Sequence, residues 1–191
     1  PVSLLATSNG GGTLVIAANG DIVANNDVEL TATGGISTAG DVTTNAAGAP
    51  VNYNSATTLT GNIAIDTTGG GATGSDVNFD VTLDGTFNLT VTAGTTGSVT
   101  FTGLVGDTAA LSAILINSAN NVDTNGVKAA SFVQTTGQGT TTLDQGDFTP
   151  ETDEALTTTG ATGVSITNKN IALNHAITTT GTGPVSLLAT S

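Results

Sequence analysis

Five of the fifteen acidic residues fall within residues 144–154: Asp144, Asp147, Glu151, Asp153 and Glu154. Hard carboxylate oxygens on a short polar loop are the donors that calcium takes. Their spacing fits no EF-hand loop, and no RTX-type nonapeptide occurs in the chain. The plainer reading is a solvated acidic loop. Either way, residues 144–154 read as a loop inserted between the phrases TTTL and ALTTTG of an otherwise repetitive background.

Other chemistry-bearing residues are sparse. Asp76, Asp80 and Asp84 alternate with Val77, Phe79, Val81 and Leu83, which predicts one strand with three carboxylates on its outer face. Acids four apart on a strand are separated by about 13 Å, too far to share an ion, so they should serve to keep that face soluble. His175 is the single histidine and there is no cysteine, so neither a zinc site nor a catalytic triad is readable. Lys128 and Lys169 are the only cations. β-helical polysaccharide lyases and hydrolases clamp their substrates with basic residues, and this chain has no Arg and no clustered acid pair with a His–Gly motif, so no enzyme is expected.

Thr-x-Thr pairs (Thr31/Thr33, Thr58/Thr60, Thr90/Thr92, Thr100/Thr102, Thr140/Thr142, Thr157/Thr159, Thr178/Thr180) invite comparison with ice-binding faces, a minor alternative given their irregular spacing. Asn88-Leu89-Thr90 is a lone glycosylation sequon.

The elements that carry these residues are strands. Charged residues make up 9% and aromatics 3%, yet the hydrophobic fraction is 37%, too high for a disordered chain. Val, Ile and Thr favour strands, and the 26 glycines supply turns. A net charge of −13 gives no footprint for nucleic acid or anionic lipid. No apolar run is long enough for a membrane-spanning helix.

Val28/Leu30 against Glu29/Thr31, Phe87/Leu89/Val91 against Asn88/Thr90/Thr92, and Ile171/Leu173 against Asn170/Ala172 show the two-residue period of half-buried strands. The segment from Thr108 to Ile116 is the least strand-like and suits a turn. A Thr-Thr-Gly/Asn phrase starts at Thr43, Thr67, Thr95, Thr135, Thr158 and Thr179, at intervals of 24, 28, 40, 23 and 21. Closing the 183-residue period at which residues 1–8 recur adds an interval of 47, and taking 40 and 47 as double steps gives about eight coils of roughly 21–24 residues, the period of a β-solenoid.

Residues 1–8, PVSLLATS, return unchanged as residues 184–191. The chain therefore reads as a single β-helical segment (residues 1–191), one 183-residue tandem period plus an eight-residue overlap. Eight coils would advance about 40 Å and return the octapeptide to an equivalent strand, with Val2/Val185 and Leu4/Leu187 inward.

The stretch from Gly74 to Asp144, with the phrases TTTGATGVSITNKNIAL and GGGTLVIAANGDI, resembles the filamentous-haemagglutinin-like giant surface proteins of bacteria. The resemblance implies an all-β, right-handed parallel β-helix forming the stalk of an exported adhesin or surface fibre, with no catalytic residues to transfer. The function expected is that of a structural repeat in an extracellular or cell-surface stalk, fibre, filament or sheath. Its partner would be itself, along a fibre axis, and it would need no cofactor. The alternative is an adhesin module that grips glycans or a calcium-bridged surface through residues 144–154.

Overall fold

A computed structural model describes residues 1–7, 11–45, 48–148 and 154–190. Among them there is no helix, and every paired strand is parallel to its neighbours. The chain winds as a three-faced β-solenoid of about eight turns.

The first face is one eight-stranded sheet. It stacks β1 (Val2–Ala6), β4 (Val28–Ala32), β7 (Val51–Tyr53), β10 (Val77–Phe79), β13 (Val99–Phe101), β15 (Val122–Asn125), β17 (Thr140–Asp144) and β19 (Asn170–Leu173). The second face begins with β2 (Leu14–Ile16), β5 (Ile36–Thr38), β8 (Thr57–Leu59) and β11 (Leu83–Asp84), and continues through the bridges Leu83↔Val105↔Val127. The third stacks β3 (Ile22–Ala24), β6 (Val42–Thr44), β9 (Ile63–Asp66), β12 (Asn88–Thr92) and β14 (Ala113–Ser118). Two long strands, β16 (Val127–Gln134) and β18 (Glu154–Asn168), turn a corner and serve both faces. Their first halves carry the second face on to β20 (Ala176–Thr179), and the second half of β18 carries the third face on to β21 (Val185–Ala189).

Identical residues stack because each coil repeats the apolar position of the last. Val2, Val28, Val51, Val77, Val99 and Val122 form one continuous inward rank. The next inward rank holds the aromatics. Tyr53 and Phe79 stack with centroids 4.6 Å apart, and Phe79 and Phe101 at 5.5 Å, all fully buried. Strand separation in a sheet is itself about 4.8 Å, so planar rings one above another fill the core without gaps.

Coil length is less regular than the Thr-Thr phrases suggest. Along the valine rank and its extension to Thr141 and Ile171, successive partners lie 26, 23, 26, 22, 23, 19 and 30 residues apart. The extra length is absorbed at corners, where no ladder constrains it. The last and longest step contains residues 144–154.

Four expectations are corrected. Residues 76–84 are not one strand: β10 and β11 lie on different faces, and Val81 turns outward at the corner, 40% exposed. Phe87 likewise precedes β12 rather than joining its inward rank, and is 36% exposed. The two copies of VSLLA occupy different sheets, β1 on the first face and β21 on the third. Their inward parity is as expected, since Val2 pairs with Val28 and Val185 with Val164. The segment from Thr108 divides: bends come first, and strand begins at Ala113.

One core residue should report on the fold through pH. The Tyr53 hydroxyl is fully buried and finds no hydrogen-bond partner among the described residues. Burial, aided by the nearby Asp41 charge, pushes its ionisation well above the ordinary tyrosine range. The unfolded chain can release this proton above about pH 10 while the folded chain holds it, so stability is complete below that pH and falls as pH rises beyond it. Tyr53→Phe should raise stability by about 1 kcal/mol at neutral pH and remove this part of the alkaline loss. Thermal melts of both proteins at about pH 8 and about pH 11 check it.

Candidate functional site

Four aspartates build corners. Asp41 Oδ1 accepts the Ala64 amide at 2.7 Å, Asp76 Oδ1 that of Ser98 at 2.8 Å, and Asp84 Oδ1 those of Thr108 and Ala109. Asp21 Oδ1 accepts the Asp41 amide in the same manner. Each donor lies 20–25 residues on, in the next coil. These aspartates thus tie one turn of the solenoid to the next where the strand ladder stops. Asn62 and Asn121 do the same with the amides of Asn88 and Thr140. Sequence reading missed this role because the partner is backbone, which leaves no residue signature.

The acidic segment is rooted at both ends. Asp144 closes β17, in register with Asn125, and its Oδ1 lies 4.0 Å from His175 Nε2. Glu154 opens β18 and accepts a hydrogen bond from the Thr157 hydroxyl. Asp147 is exposed between them, and Glu151 and Asp153 lie outside the described residues. Among the described residues, no group of three or more His, Cys, Asp or Glu comes close enough to hold a metal ion.

What the sequence did not announce is the anchor. Phe148 is fully buried, and the Lys128 ammonium sits 3.8 Å from its ring centroid. It lies apart from the main apolar core, and Gly126 leaves room for its ring. Phe148→Ala should lose about 2–3 kcal/mol of anchorage from ring burial and the cation–π contact. Hydrogen exchange should accelerate at Gly126 and Gly146 while the valine rank keeps its protection.

Beside this root, the outer side of the first face forms a shallow groove lined by Thr100, Thr102, Asp123, Asn125, Thr142 and Asp144. The Thr-x-Thr pairs are scattered over three faces, and only Thr157/Thr159 and Thr178/Thr180 stack in register.

The other conspicuous surfaces are the two ends. In the last coil, inward positions stand open: Leu173 is 47% exposed above a fully buried Leu143, Val185 47% above Val164, and Leu187 40% above Ile166. At the opposite end Val2 and Leu4 are half-buried beneath Val28 and Leu30, which are fully buried. Among the described residues no element covers either end.

Searches for similarity return no family model, no curated protein and no solved structure that matches the chain.

Proposed function

We propose that the chain is a structural repeat of a giant extracellular bacterial protein, one length of a β-helical stalk, fibre, filament or sheath. The observation that carries this reading is the unbroken parallel ladder and stacked inward rank that run from coil to coil along the rod. Middle coils seal their apolar ranks completely, each inward side chain being covered by the coil before it and the coil after it. An open strand edge is a template for pairing, and a further length of the same rod is the partner that matches it. The role is mechanical: continuous ladders and a continuous core resist bending, and the acidic Thr/Asn surface keeps neighbouring rods solvated. The kinship this suggests is with filamentous-haemagglutinin-like surface proteins. No cofactor and no catalysis belong to this role.

A chain of several tandem copies tests it. Far-ultraviolet circular dichroism dominated by strand, with straight rods in negative stain, is the expected result; a helical spectrum or compact particles would remove the reading.

A second reading rests on the insertion at residues 144–154, whose coil step is 30 residues and whose first acid, Asp144, lines the groove. There the segment would grip a glycan or a calcium-bridged surface. Deleting it should leave adhesion, calcium affinity and bundling of the rods unchanged if the shaft role is the whole function. A loss in any of them would establish the binding role.

A further inference from the structure

The two copies of VSLLA use opposite edges of the same strand. In β1, the Val2 amide donates to Asp27 O at 2.7 Å, and Ala6 O accepts the Thr33 amide at 3.0 Å, both in the following coil. In β21, Pro184 O accepts the Val164 amide and the Thr190 amide donates to Asn168 O, each at 2.9 Å, both in the preceding coil. In octapeptide positions, β1 uses the backbone groups of residues 2 and 6, and the second copy those of residues 1 and 7. A parallel strand points alternate residues to opposite edges, so no group is used twice. Inward parity also agrees, since Val2 and Leu4 face the core against Val28 and Leu30, as Val185 and Leu187 do against Val164 and Ile166. One strand of this sequence can therefore pair with β18 on one side and β4 on the other.

From this complementarity we infer that the partner at the open end is a second copy of this chain, joined so that β21 of one copy is β1 of the next. The inference rests on the fibre reading and gives it a geometry. From β1 on the first face of the first coil to β21 on the third face of the eighth, the chain completes seven turns and two further faces. The third face of one copy then continues as the first face of the next, its first face as the next copy's second, and its second as the third. Each period makes seven and two-thirds turns, advances about 37 Å and rotates the rod by one face. Three periods, about 110 Å, restore the original orientation. The acidic insertion thus appears on successive corners, a helical decoration rather than a single row.

The test is a tandem of residues 1–183 followed by the full chain, which has no native cysteine to interfere. The join places Ala172 of the first copy beside Val15 of the following copy, whereas an unrotated stack places it beside Ser3. Ala172→Cys with Val15→Cys in the second copy should oxidise to a disulfide and shift mobility on a non-reducing gel. Ala172→Cys with Ser3→Cys in the second copy should not. Bridging of the second pair, or of neither, overturns the join. Cryo-electron microscopy of a six-copy array without cysteines gives a second readout: insertions should advance by one face per copy, and a single straight row overturns the join. Straight rods with the wrong rotation would refute this join while leaving the fibre reading intact; absence of rods would refute both.

Discussion

Phe79→Ala should cost about 3–5 kcal/mol, the range for deleting a buried aromatic ring. Phe79 lies between Tyr53 and Phe101, so truncation removes both stacked contacts and leaves a void that the ladders above and below cannot close. Phe79→Leu should recover much of the loss by refilling the volume. Phe87→Ala, on a ring 36% exposed at a corner, should stay within about 1 kcal/mol. Urea titrations of the three variants check the order. Ladders run between adjacent coils, so a second transition in Phe79→Ala would mark the coils around β10 as the ones that open first.

Gly106→Val should be comparably severe, about 3 kcal/mol or more, from backbone rather than core. Gly106 has φ of +74°, a region that β-branched side chains avoid. A Cβ there would also press into the carbonyl oxygen of Lys128 in the next coil. The site is tight because Gly106 N donates to Leu83 O at 2.8 Å while Lys128 N donates to Val105 O, also at 2.8 Å, holding three coils together. Gly106→Ala should fall between wild type and valine. Thermal melts give the ranking, and equal stability of all three would show that this corner relaxes freely.

The coils were legible because inward positions alternate over at least three residues, and Val, Ile, Leu and Phe at those positions have few other places to go. The number of coils survived even though the marker phrases do not mark one corner. Thr43 lies in β6 on the third face, whereas Thr158 and Thr179 pair on the second. Averaging over two corners leaves the mean period nearly unchanged but erases the phase. That is why a whole number of turns per period looked natural, and why β21 on the third face was not foreseen.

Corners hid the rest. The alternation from Val77 to Leu83 runs through a bend, and periodicity alone cannot distinguish a strand from two short strands with Val81 turned out between them. Coil steps of 19 and 30 residues reflect corner loops that no ladder regularises. At the acidic segment, composition revealed the insertion and its charge. The burial of Phe148 under Lys128 joins residues twenty apart in sequence through one aromatic with no periodic partner, so only three-dimensional proximity exposes it.

Small-angle X-ray scattering on chains of one, two and three copies tests the rod most directly. The maximum dimension should grow by about 37 Å with each added copy while the cross-sectional radius stays constant. A maximum dimension that saturates, or a cross-section that thickens as copies are added, would contradict it.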